Sequence, residues 1–267
     1  MKDVQSAFDP RGIDLQKVGV KDVHVPLLIQ QRDGGTQQVL GCVRLAVDLP
    51  RHYKGTHMSR FLEVLMRWST EGLSSRRLRV VLEELRDKLQ AERAEIQVSF
   101  KYFLPKRAPV SGSLSVLDYD CEFAGFLEGG HFDFRLGVEL PVTSVCPCSR
   151  EISAYGAHNQ RAVIRVRCRF RPGQYLWIED LIALVEQQGS EEVYPLLKRE
   201  DEKYVTEHAF DNPKFVEDIL RDVVAALRRE PRVVWFEAEC ESYESIHNHS
   251  TFAYHVEQKG ENLRPTK

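Results

Sequence analysis

The chain of 267 residues predicts an α+β fold of two tandem units, each an antiparallel sheet with helices on one face in the order ββααββ. Three observations predict it. Apolar and polar residues alternate over long stretches, the period-two signature of half-buried strands. Between them lie stretches whose apolar residues return every three or four positions, as on one face of a helix. The order of these patterns is then the same on both sides of Gly129-Gly130, which places one unit at 1–129 and the other at 130–267.

In the first half, residues 1–17 are polar and weakly patterned and read as a loosely held arm. A strand fits Val18–Gln30, alternating through Val23, Val25, Leu27 and Ile29. Asp33-Gly34-Gly35 supplies turn chemistry, and Gln38–Leu49 alternates again, which makes a hairpin. A polar link after Pro50 leads into a helix carrying Phe61, Leu62, Leu65, Met66 and Trp68, with Thr56 or Ser59 as its cap. Past Gly72, the spacing of Leu78, Val81, Leu82, Leu85 and Leu89 predicts a second helix. Strands fit Ala94–Leu104 and, after a break at Pro105–Pro109, Ser113–Phe126.

The second half repeats the order. His131–Val145 alternates through Phe132, Phe134, Leu136, Val138 and Leu140, and Arg161–Phe170 sets Ala162, Ile164, Val166 and Cys168 against arginines. Helices fit Ile178–Gln188 and Pro213–Arg228, with the run Lys198-Arg199-Glu200-Asp201-Glu202-Lys203 as a charged link between them. After Pro231, strands fit Arg232–Ser242 and Thr251–Val256, and 258–267 reads as a frayed tail. Open sheets of this kind leave edges that need pairing, so a homo-oligomer is expected.

Composition narrows the function. A hydrophobic content of 42% and a charged content of 29% describe a globular chain with material for a sizeable core. A formal net charge of -3 argues against a nucleic-acid binder working by phosphate neutralisation. No apolar run has the length of a membrane span and no signal-peptide pattern opens the chain. With six cysteines and no secretory signal, mostly free thiols in the cytoplasm are expected. Cys42, Cys121, Cys168 and Cys240 fall in strand patterns and read as small core residues.

Chemistry concentrates at 141–160. Cys146 and Cys148 flank Pro147, and His158 follows. Thiolate and imidazole are ligands that a zinc-type ion prefers, and a catalytic site needs about three of them with one open position. Buried structural cysteines beside a surface histidine fit the same spacing. Further donors stand at Glu200, Asp201 and Glu202, and at Glu244, His247 and His249, where the H-x-H pair would point to one side of a strand. A disulfide across one proline would be cramped, so a reversible switch is conceivable there and a structural bridge is not expected. Lys54, His57 and Arg60 stand at a helix start, which suits either an anion site or a plain capped helix.

Taken together, P-V-T-S-V-C-P-C-S-R-E-I-S, Y-G-A-H-N-Q-R, L-L-K-R-E-D-E-K-Y-V-T-E, D-N-P-K-F-V-E-D, E-S-I-H-N-H and K-G-T-H-M-S-R-F resemble the type IB GTP cyclohydrolases, prokaryotic enzymes of the tunnelling fold. The blocks lie in both halves and span most of the chain. The resemblance implies two tunnelling-fold units per chain, a homotetramer, and conversion of GTP to 7,8-dihydroneopterin triphosphate and formate for folate and some modified tRNA bases. It implies Cys146, His158 and Glu202 as ligands of a divalent metal (zinc, manganese or iron), with Glu200 standing where relatives carry proline. Glu217 would hold the heterocycle edge with Glu244 as second choice, His247 would move protons, and Cys148 would be the second active-site thiol. Lys54, His57 and Arg60 would bind the substrate, their cations holding the triphosphate. Two other readings compete: a tunnelling-fold nitrile reductase with a cysteine nucleophile and NADPH, and a non-enzymatic zinc- or redox-responsive module.

Overall fold

The structure, a computed structural model, describes residues 4–260. The proposed tail therefore lies outside the described residues from 261 on, as do the first three residues of the arm. The fold is α+β, with ten strands and six helices among the described residues. Two compact units are present: Met1–Lys101 with Cys121–Leu136, and Tyr102–Asp120 with Gly137–Lys267.

The first unit opens on the hairpin of β1 (Leu15–Gln30) and β2 (Thr36–Leu49), which pair antiparallel from Leu15↔Leu49 to Gln30↔Thr36. β1 therefore begins inside the expected arm. Helices α1 (Met58–Ser69) and α2 (Ser75–Leu89) pack on each other, and both meet β3 (Gly72–Leu73), a short strand parallel to β1. Neither Thr56 nor Ser59 caps α1. His57 holds that place with extended backbone, and Ser59 is already inside the helix. β4 (Arg93–Arg107) pairs with β2 from Gly41↔Phe100 to Val47↔Ala94. Pro105 does not end β4, because a φ fixed near −65° is compatible with extended backbone and the ring points outward. The core of this unit is Leu27, Ile29, Val43, Leu45, Phe61, Leu78 and Leu82, all essentially inaccessible to solvent. β5 (Leu114–Glu128) turns at Gly129 and Gly130, both with positive φ, into β6 (His131–Val145). β4, β5 and β6 each give residues to both units.

In the second unit a short helix α3 (Pro147–Ile152) follows β6, and then β7 (Asn159–Phe170). Next come α4 (Ile178–Glu186), the two-residue β8 (Glu191–Glu192) paired with β6, α5 (Arg199–Asp211) and α6 (Val216–Arg229). β9 (Val233–Ser242) runs antiparallel to β7 on one side and to β10 (Thr251–Gln258) on the other. The second half thus carries three long helices where two were expected, because the supposed charged link opens α5. α6 buries Val216, Ile219, Leu220, Val223 and Leu227 against β9 and β10. Each fully buried side chain of this size contributes roughly 1.5–3 kcal/mol. No helix among the described residues is long and apolar enough to cross a membrane.

Candidate active site

The site grows from the end of β6. Cys146 is the N-cap of α3: its Sγ accepts from Ser149 N–H at 3.4 Å, and Pro147 takes the first helical position, where a missing N–H costs nothing. Ser149 Oγ donates to Cys146 O at 3.1 Å and accepts from His158 N–H at 3.2 Å. Cys146 N–H closes the loop by donating to His158 O at 3.1 Å. The C-P-C-S sequence therefore folds the chain back so that Cys146 and His158 stand on one wall. Cys148 lies one helical position on and is exposed.

A second wall is the loop entering α6. Asn212 Nδ2 donates to the carbonyls of Gly189 (3.2 Å) and Ser190 (3.1 Å). Lys214 N–H donates to Val145 O at 3.0 Å, and Ser144 Oγ donates to Lys214 O at 2.9 Å. The Lys214 bonds tie the D-N-P-K-F segment to the last residues of β6 and the Asn212 bonds tie it to the approach to β8, so the first turn of α6 arrives beside Cys146. Glu217 sits on that turn, where the positive end of the helix dipole favours a carboxylate.

The third wall is the β9–β10 connection. Glu244 Oε1 accepts from Ser242 Oγ (3.0 Å), Thr251 Oγ1 (3.1 Å) and Gln160 Nε2 (3.4 Å). His247 and His249 stack with ring centroids 5.2 Å apart and an interplanar angle of 14°. They lie in the loop and not on a strand, which corrects the reading of the H-x-H pair as strand neighbours.

These walls enclose a pocket of about 280 Å³ lined by Cys146, His158, Gln160, Lys214, Glu217, Glu244, His247 and His249, among others. Five of the expected site residues meet there: Cys146, His158, Glu217, Glu244 and His247. Cys148 and Glu202 do not line it, and Lys54, His57 and Arg60 belong to the first unit. Arg60 Nη1 instead donates to Lys88 O at 3.0 Å, at the end of α2. Sequence reasoning passed over Gln160 and Lys214. The clue to Gln160 was its position two residues after His158 at the start of a strand, where alternate residues share a side.

The donor chemistry of the pocket suits a divalent ion in part. Cys146 supplies a thiol and His158 an imidazole, the soft and borderline ligands such an ion takes. Among the described residues no group of three His, Cys, Asp or Glu side chains is assembled to hold a metal, and Glu202 is exposed on the first turn of α5. Its neighbour Asp201 is fully buried and works for the fold. The other four cysteines are free thiols: Cys121, Cys168 and Cys240 are buried and Cys42 half-buried. Burial pushes the Cys240 thiol up to about 12.

Residues 1–253 match the family model described as type I GTP cyclohydrolase folE2. The chain is 49% identical over 253 residues to the GTP cyclohydrolase FolE2 of Geobacter metallireducens, covering 95% of each chain. It is 49% identical over 254 residues to that of Syntrophus aciditrophicus, covering 95% of this chain and 98% of the other. Among solved structures, uricase from Arthrobacter globiformis superposes with a TM-score of 0.59 at 8% identity, covering 94% of this chain and 96% of that one. A uricase from Bacillus fastidious gives 0.56 at 10% identity, covering 91% and 93%. At such identities the likeness carries the fold alone, which is the tunnelling fold.

Proposed function

The chain belongs to the type I GTP cyclohydrolase FolE2 family, and from that premise we propose that the pocket between β6, α6 and the β9–β10 loop is where GTP is opened to 7,8-dihydroneopterin triphosphate and formate. The chain is a GTP cyclohydrolase of folate biosynthesis. The observation that carries the site is the convergence of Cys146, His158, Glu217 and His247 on one pocket. The finer reading is a metal-dependent type IB enzyme of two tandem units, working in the cytoplasm as a homotetramer.

Hydrolysis begins at the carbon between the imidazole nitrogens of guanine, which water alone attacks slowly. A divalent ion (zinc, manganese or iron) held by Cys146 and His158 would supply the acidity that makes hydroxide available near neutral pH, and Glu202, the third ligand the resemblance implies, would have to come in from α5 outside the pocket lining. Glu217 accepts from the N–H groups on the pyrimidine edge of guanine and so fixes the base in the pocket. His247 donates a proton to a ring nitrogen as the C–N bond breaks. Cys148 moves a proton in the second hydrolysis, which frees formate. Lys54, His57 and Arg60, supplied by a neighbouring subunit, hold the triphosphate.

The experiment is direct. Protein loaded with zinc, manganese or iron is incubated with GTP, and formate and oxidised-pterin fluorescence are measured. Cys146→Ala and His158→Ala should lose metal and product together, whereas Cys148→Ala should keep metal and lose turnover. Absence of product with all three metals would overturn the reading.

A further inference from the structure

Gln160 stands between two groups of opposite demand. On one side its Nε2 is 3.4 Å from Glu244 Oε1, and on the other its Oε1 is 2.9 Å from His158 Nδ1. A carboxylate has no proton to give, so the amide must present its NH₂ to Glu244. Its carbonyl oxygen is then the group facing His158. An oxygen lone pair at 2.9 Å from a ring nitrogen requires that nitrogen to carry the hydrogen. Ser245 Oγ lies 3.4 Å from both Gln160 Oε1 and His158 Nδ1, where its hydroxyl can donate to the amide oxygen.

Glu244 is itself held from behind. Ser242 Oγ and Thr251 Oγ1, from the last residue of β9 and the first of β10, donate to the same Oε1 that receives Gln160. The polarity of the amide is thus set by the base of the β9–β10 loop and is not free to reverse.

We propose that Gln160, oriented by Glu244, is a positioning residue that locks His158 in the Nδ1–H tautomer and leaves its Nε2 as the one lone pair offered to the pocket. The consequence for a metal rests on the metal-dependent reading above; the tautomer itself does not. A neutral imidazole binds an ion only through the nitrogen without hydrogen, so the lock removes the wrong tautomer before any ion arrives. Loss of such partners weakens metal binding about 10- to 100-fold. Glu244 then contributes through Gln160, to which its Oε1 is joined.

The test uses the metal-free full-length protein, with ¹⁵N NMR of the histidine rings. Wild type should show His158 with a pyrrole-type Nδ1 and a pyridine-type Nε2. Gln160→Leu and Glu244→Leu should each give a mixture of tautomers, whereas Glu244→Gln should keep the wild-type pattern, since an amide oxygen still accepts from Gln160. A zinc-competition titration should show binding weakened about 10- to 100-fold in Gln160→Leu and little changed in Glu244→Gln. If Gln160→Leu does not fold, the Glu244 pair carries the comparison. An Nε2–H tautomer in wild type, or an unchanged tautomer in both leucine variants, overturns the proposal. Wild-type protein that binds no zinc but shows the expected tautomer overturns the metal reading and leaves the positioning role standing.

Discussion

Asp201 accepts from the N–H groups of Val110 (2.9 Å), Ser111 (2.8 Å) and Lys198 (2.8 Å) and from Ser111 Oγ (2.6 Å). Burial would raise its pKa, but these donors outweigh it and hold the carboxyl well below the usual carboxylate range. A group whose pKa is lower folded than unfolded adds stability above its ordinary value, near 3.8, and loses it as pH falls toward the folded value. Asp201→Asn is therefore expected to lower the Tm at neutral pH by about 4–10 °C. It should also flatten the acid limb of the stability curve below about pH 4. Thermal scans of both proteins across that range check this, and parallel curves would count against it. The residue explains one misreading too. In K-R-E-D-E-K the acids look alike by type, and only the donors arriving from 110–111 separate the buried Asp201 from its exposed neighbours.

The entry to α6 shows how an element sets a residue in the pocket. Asn212 makes two carbonyl contacts that pin the loop, and Glu217 rides on the turn that follows. Asn212→Ala frees that loop and should lower kcat/KM for GTP about 10- to 100-fold, since small misplacements near a reacting group are costly. Steady-state kinetics alongside a circular-dichroism melt would show it; wild-type kinetics in a folded variant would refute it. Elements differ in how openly the sequence declares them. β6 was legible to the residue, because Phe132, Phe134, Leu136, Val138 and Leu140 alternate without a break after two turn glycines. α5 was not, since its buried residues are Asp201 and Ala209 and it has no apolar stripe to betray a helical period. α3 spans six residues, too short for periodicity to register. The reading of His247 and His249 as strand neighbours failed because β9 ends at Ser242 and β10 begins only at Thr251, and I-H-N-H-S between them carries a single β-branched residue. Cys146, His158 and Glu217 could be found from their chemistry and their motifs. Gln160 gave only its place two residues after His158 as a clue, because an amide's importance lies in what stands on either side of it.

At the scale of the whole molecule, β10 pairs with β9 and turns Phe252, Tyr254 and Val256 outward, exposed by 70%, 50% and 48%. An apolar edge of this length invites another chain and is a liability if left bare. The homotetramer proposed above would cover it. Native mass spectrometry should find tetramers in wild type and smaller species in a Phe252→Lys, Tyr254→Lys double variant; a wild-type monomer would remove the idea. The membership of the two units has a different consequence. Residues 102–120 belong to the unit that is otherwise completed after 137, and 121–136 belong to the one begun at the start. During synthesis the first unit waits for its closing strands while a segment destined for the second has already emerged. Folding as two successive events along the ribosome's output is therefore not expected. Fragments 1–129 and 130–267, made separately, are expected to give no cooperative melt, and mixing them should restore one. A gene with this arrangement inherits its two units together and cannot trade either of them alone.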